Sequence, residues 1–174
     1  MKKRKEISDK RLFLRYGVTC ADSAIENGYI KKGDVQQILD YVVYGIEPDR
    51  DYTHAFPMAW TQMSLLAERE NQKTIGSKII RMYFDYKHND IVDKINAMGK
   101  NADACRTYAA VVRKIGKRKA TVETVAGVRS CWYRLEPKIE LEDYVIIHRG
   151  SIVERISKTR AKRLWKQNAK YAKK

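Results

Sequence analysis

Residues 105–165 read CRTYAAVVRKIGKRKATVETVAGVRSCWYRLEPKIELEDYVIIHRGSIVERISKTRAKRLW, and this stretch decides the fold. Its hydrophobic period is two, not 3.6. From Lys119 to Val125 the residues Ala120, Val122 and Thr124 alternate with Thr121, Glu123 and Val125, the pattern of a strand with one face inward. Ala110–Ile115, Val128–Leu135, Tyr144–His148 and Ser151–Ile156 are further short runs rich in strand-forming residues. Gly116-Lys117, Ala126-Gly127, Pro137 and Gly150 supply the turns between them. Five short strands with tight turns predict a small closed barrel, because closure removes exposed sheet edges. Ser157 then suits the cap of a last helix, with Ala161, Leu164 and Trp165 on the inner face and Lys158, Lys162, Arg163 and Lys166 toward water.

Upstream the period is helical. Leu12, Phe13 and Tyr16 form a short apolar face, and Asp22–Asn27 reads as one or two turns closed by Gly28. Asp34 reads as an N-cap with Gln37 completing a capping box, followed by Val35, Ile38, Leu39, Val42 and Val43 on one face up to Gly45. Pro57 fits the first turn of another helix, Ser77 the cap of a fourth, and Asp90 the cap of a fifth that ends before Gly99. The expected class is therefore α+β: an α-helical N-terminal domain over 1–99, a linker GKNADA, and over 105–174 an OB-like five-stranded barrel with a basic C-terminal helix.

Charge divides along the same line. Residues 1–103 carry 17 basic and 15 acidic side chains, whereas residues 104–174 carry 19 and 6, so +13 of the net +15 lies in the second half. A polyanion-facing surface is one consequence of such asymmetry. Lys114, Lys117, Arg118 and Lys119 cluster at a predicted hairpin, and Lys158, Arg160, Lys162, Arg163 and Lys166 line the last helix. These residues are candidates for phosphate contact with RNA or single-stranded DNA, with Tyr108, Trp132 and Tyr133 as candidate stacking faces.

No apolar run approaches a membrane span, and the charged start MKKRKEISDK has no apolar segment after it. Three widely spaced cysteines, Cys20, Cys105 and Cys131, suggest a reducing, cytoplasmic setting. No HExxH, nucleophile elbow or phosphate-cradling glycine loop occurs, so a non-enzymatic role is the expectation.

The second half also resembles the HypC/HupF family of hydrogenase assembly chaperones. The residues carrying the resemblance are Cys105, Val111–Ile115, Ala120–Val122, Gly127-Val128-Arg129, Leu135, Asp143-Tyr144-Val145-Ile146-Ile147-His148 and Gly150, with Ile156, Ala161 and Leu164 in the closing helix. It covers about the last 65 residues. Cys105 is internal here rather than N-terminal, Ala109-Ala110 replaces a Pro-Gly pair, and Glu142 replaces a glycine. The resemblance implies an OB-like barrel that docks a protein partner, a metalloenzyme or a maturation factor. It further implies that Cys105 is a soft thiolate ligand to iron in transit, with Arg106 favouring the thiolate and His148 orienting the cysteine loop or touching the partner. The expected function is therefore a non-enzymatic, assembly-chaperone-like role, with nucleic-acid binding as the alternative.

Overall fold

The computed structural model of the protein describes residues 4–99 and 103–172. The chain is α+β and forms two compact units, Met1–Lys87 and His88–Lys174.

The first unit is helical: α1 (Lys10–Gly17), α2 (Ala21–Glu26), α3 (Asp34–Tyr44), α4 (Pro57–Arg69) and α5 (Ser77–Met82). Asp9 caps α1 by accepting from the Leu12 amide at 3.0 Å. Pro57 occupies the first turn of α4, as its fixed φ and missing N–H favour. Gly45 ends α3 at φ 75°, a left-handed position where a Cβ is strained. The helices share a core that includes Phe13, Leu14, Tyr16, Ile38, Val42, Met63, Ile79 and Ile80. Tyr16 stacks on Phe84 with ring centroids 4.0 Å apart.

Several local expectations change. Ser77 is the first residue of α5, whose N-cap is Gly76. Asp34 lies inside α3, whose N-cap is Gly33; its carboxylate accepts from the Lys31 amide at 2.7 Å. Gln37 does not close a capping box but bonds to Asp49, through the Asp49 amide and carboxylate at 3.1 Å each. A loop 12 residues away outcompetes the local partner. Lastly, no break separates the helices expected after Ser77 and Asp90: a π-helical turn, Tyr83–Lys87, carries α5 into α6 (His88–Ala97), and the division between the units falls at Lys87/His88 rather than at Gly99. Within the predicted linker, residues 100–102 lie outside the described ones.

The second unit contains β1 (Thr107–Ile115), β2 (Lys119–Thr124), β3 (Gly127–Trp132), β4 (Tyr144–His148), β5 (Ser151–Arg155) and α7 (Lys158–Ala172). The five strands close into a ring in the order β1-β2-β3-β5-β4. All pairs are antiparallel except β3 with β5, which meet in parallel at Trp132 and Ser151. Closure depends on β1, which is nine residues long and pairs with β4 over Thr107–Val111 and with β2 over Ala110–Ile115. A register shift between Val112 and Lys114 bends it from one neighbour to the other.

Tyr108, Ala110, Val112, Ala120, Val122, Cys131, Val145, Ile147 and Ile152 form the core of this ring. α7 packs on β1 and β4. This explains why β1 is buried on both faces from Thr107 to Val112 and β4 from Val145 to His148. β2 instead alternates, with only Ala120, Val122 and Thr124 buried. The outer face of β2 and β3 therefore stays open to water.

At Gly17 a Cβ would come within 2.5 Å of the Phe56 ring. Gly17→Ala is expected to destabilise the helical unit by about 1–3 kcal/mol through overpacking, read as a lower urea midpoint; an unchanged midpoint would show that Phe56 moves freely.

Candidate functional site

The β1–β2 hairpin is the most cationic turn of the second unit. The Gly116 amide donates to the Lys119 carbonyl at 2.9 Å. The Tyr133 hydroxyl, from the chain just past β3, lies 2.9 Å from the Gly116 carbonyl and 3.1 Å from that of Lys117. The turn is thus held from two sides. Lys114, Lys117, Arg118 and Lys119 are all exposed, and none forms an ion pair among the described residues. Arg113 differs: it pairs with Glu123 at 2.7 Å and with Glu142 at 2.6 Å, which raises its pKa and removes it from the free charge.

Beside this turn stands Trp132. It is 45 % exposed, and Lys119 Nζ lies 4.5 Å from its ring centroid. Directly opposite residues in an antiparallel pair share a face; Lys119 opposes Trp132 and Thr121 opposes Ser130, so these four side chains project outward together. The Trp132 amide donates to the Gly150 carbonyl at 2.8 Å, which brings the β4–β5 turn, Arg149-Gly150, against the same rim. Arg149 and Gly150 both have positive φ, 45° and 71°. The result is an indole bordered by a lysine, a basic hairpin and a third arginine-bearing turn.

The three aromatic side chains expected to stack divide three ways. Trp132 is exposed, Tyr133 braces the hairpin through its hydroxyl, and Tyr108 is 3 % exposed in the ring core. Strand alternation alone did not separate Tyr108 from Trp132, because the side of each depends on the pairing register. Arg149 was missed; its proximity to Trp132 comes from the parallel β3–β5 contact, a pairing between residues far apart in sequence.

The cationic residues of α7 form a separate group. Ser157 Oγ caps the helix by accepting from the Arg160 amide at 3.2 Å. Arg160 is bound to the buried Glu154 at 2.6 Å, so its charge is used internally. Lys158, Lys162, Arg163 and Lys166 are exposed. They sit on a helix that lies along β1 and β4, not on the open face of β2 and β3.

Cys105 ends a 3₁₀ turn, Asp103–Cys105, just ahead of β1 and is half-buried. The β1–β4 register sets Thr107 opposite His148, so Cys105 and His148 lie at the same end of the ring. Arg106 and His148 are both buried, 6 % and 1 % exposed. Arg106 pairs with Asp93 of α6 at 2.6 Å, and its guanidinium lies 5.2 Å from the Tyr171 ring centroid. His148 meets His88 edge to face at 4.9 Å. Asn89 imitates a neighbouring strand: its side chain donates to the Thr107 carbonyl and accepts from the Thr107 amide, both at 2.8 Å. As placed, the side chains of Arg106 and His148 serve the interior of the unit. No group of three or more His, Cys, Asp or Glu side chains is arranged to hold a metal ion among the described residues. Cys131 is in the core, and burial raises its thiol pKa to about 11.

Comparison of the chain with family models, with curated proteins and with solved structures finds no match.

Burial, followed by the neighbouring His148, lowers the His88 pKa to about 3. The unfolded chain binds this proton near pH 6.5, the folded chain only near 3. The stability present above pH ~6.5 is therefore lost as pH falls toward 3, at up to about 1.4 kcal/mol per pH unit. Urea unfolding at pH 7 and pH 5 should show a loss of roughly 2 kcal/mol in the second unit that His88→Phe largely removes; the same loss in wild type and variant would exclude His88 as its source.

Proposed function

We propose that the second unit is an OB-like module that binds single-stranded nucleic acid on the outer face of β2 and β3. The observation that carries this reading is the exposed Trp132 set between the basic β1–β2 hairpin and the Arg149-Gly150 turn. The ring order β1-β2-β3-β5-β4 with a parallel β3–β5 contact supports the OB-like assignment. Modules of that kind use the face of strands 2 and 3, together with the loops joining strands 1 to 2 and 4 to 5, to hold oligonucleotides. The chemistry fits the surface. An exposed indole offers a stacking plane to any base, and the exposed side chains of Lys114, Lys117, Arg118 and Lys119, which form no ion pair among the described residues, are available to phosphates. Contacts of this type position a strand without reading its sequence.

A second reading follows from the other end of the ring. The register that sets Thr107 opposite His148, and so puts Cys105 at the same end of the ring as His148, favours the assembly-chaperone-like role. In that role the ring docks a protein partner, and Cys105 contributes one thiolate to an iron centre completed by ligands from that partner. Cys105→Ser would then abolish iron retention in a co-purified complex.

Among the described residues no helix is long and apolar enough to cross a membrane, and neither reading requires one.

The first reading is tested by titrating a fluorescein-labelled oligothymidine into the full chain and following anisotropy at several salt concentrations. With four phosphates contacted, log K should fall against log salt with a slope of about −2.8. Trp132→Ala should weaken binding by about tenfold, in keeping with a stacking contribution near 1–3 kcal/mol. The triple reversal Lys117→Glu, Arg118→Glu, Lys119→Glu should abolish it. Equal affinity for the wild type and both variants would defeat the assignment of this face.

A further inference from the structure

A second surface of the same unit carries chemistry that neither reading uses. Between the start of β1, the β2–β3 turn and the last turn of α7 lies a cleft of ≈ 290 Å³, lined by Arg106, Tyr108, Ala126, Arg129 and Tyr171 among others. Arg129 opposes Val122, a core residue, so its side chain turns toward the mouth of the ring rather than toward the outer face where Trp132 stands. Its guanidinium lies over the Tyr108 ring, 5.0 Å from the centroid. Arg106 is stacked in the same manner on Tyr171 at 5.2 Å.

The two arginines differ in what balances them. Arg106 is bonded to Asp93. Arg129 is exposed and has neither an ion pair nor a hydrogen bond among the described residues; the tyrosine face alone holds it. Two acids described near this end are engaged elsewhere: Asp93 with Arg106, and Asp90 with the Tyr171 hydroxyl at 2.6 Å and Lys170 at 3.0 Å. A guanidinium fixed by an aromatic ring keeps its edge N–H groups pointing away from the ring plane's contact. It is thereby prepared to take an oxyanion with two parallel hydrogen bonds. The rings of Tyr108 and Tyr171 are already covered, at 3 % and 5 % exposure, so no aromatic face remains for a base to stack on. Alanine at positions 104, 126 and 172 leaves the rim low. A cleft of this size is at the small end for ligand sites and suits a phosphate ester head rather than a run of nucleotides.

We propose that this cleft is a phosphomonoester site in which Arg129 is the primary ligand. The phosphomonoester is either a free small molecule or the terminal phosphate of a nucleic-acid strand, which present the same group. The proposal stands apart from the β2–β3 assignment, since Arg129 and Trp132 lie on different faces of β3.

The full chain, labelled with ¹⁵N, is titrated at low salt with inorganic phosphate, with adenosine monophosphate, and with one short oligonucleotide in 5′-phosphorylated and 5′-hydroxyl forms. The Arg129 Nε–Hε resonance reports the site directly. Saturable shifts with phosphate and the monophosphate identify a small-molecule ligand. A shift confined to the phosphorylated oligonucleotide identifies a strand end. In either case, followed by backbone amide shifts in the variants, Arg129→Ala weakens binding at least about tenfold, Arg129→Lys weakens it less, and Lys32→Ala, in the helical unit, leaves it unchanged. Because Arg129 is exposed and forms no ion pair or hydrogen bond among the described residues, both of its variants are expected to fold, which the amide spectrum verifies. Absence of a saturable shift, equal shifts with the two oligonucleotides, or equal loss in Arg129→Ala and Lys32→Ala would overturn the proposal.

Discussion

The second unit depends on β1 hydrogen-bonding to two neighbours. Its first half belongs to β4, its second half to β2, and Ala110 and Val111 belong to both. Without the register shift between Val112 and Lys114 the strand would stay straight and the sheet would remain open, with unpaired edges on β4 and β2. With it the ring closes, β3 and β5 meet at Trp132 and Ser151, and two loops far apart in the chain reach one rim. The chemistry of that rim is a consequence of closure: the indole of Trp132, the hairpin lysines and the β4–β5 turn converge only because β1 bends.

The division of labour around the ring follows from where α7 lies. Covering β1 and β4 makes those strands apolar on both faces, and Val145, Ile146 and Ile147 are accordingly buried in succession. β2 and β3 have no such cover, and their outer residues are Lys119, Thr121, Glu123, Val128, Ser130 and Trp132. Trp132 is an aromatic residue half open to water in that row, outside the core of the ring. The high positive charge of this half is likewise not uniform. Arg106, Arg113 and Arg160 are consumed by acids, whereas Lys114, Lys117, Arg118 and Lys119 at the hairpin, and Arg129, form no ion pair among the described residues.

Much of the strand plan is legible in the amino-acid sequence. Alternation over 119–125 set the inner face of β2, and the run YVIIH gave β4 at its actual bounds. The helix ends marked by Gly45 and Pro57 were equally readable, since each residue has one strong conformational preference there. Features resting on distant partners were not. Gln37 looked like a capping-box residue because Asp34 is three positions away, yet Asp49 binds it. The junction at 83–88 looked like two helices because nothing in the sequence signals a π-helical turn. At the site itself, the basic hairpin was visible as a cluster of charge. The burial of Tyr108, Arg106 and His148 was not, because it depends on α6 and α7 folding back onto β1 and β4. The contacts of His88 with His148 and of Asn89 with Thr107 likewise carry no local sequence signal.

The central claim is that the open face around Trp132 is where a nucleic-acid strand lies. Ultraviolet cross-linking of the full chain to a bromouracil-containing single strand, followed by mass spectrometry of the peptides, reads the location without altering the protein. The account predicts adducts at Trp132 and at the neighbouring hairpin, residues 116–119. Adducts confined to α7 or to the helical unit, or none at concentrations where a basic control protein is labelled, would contradict it.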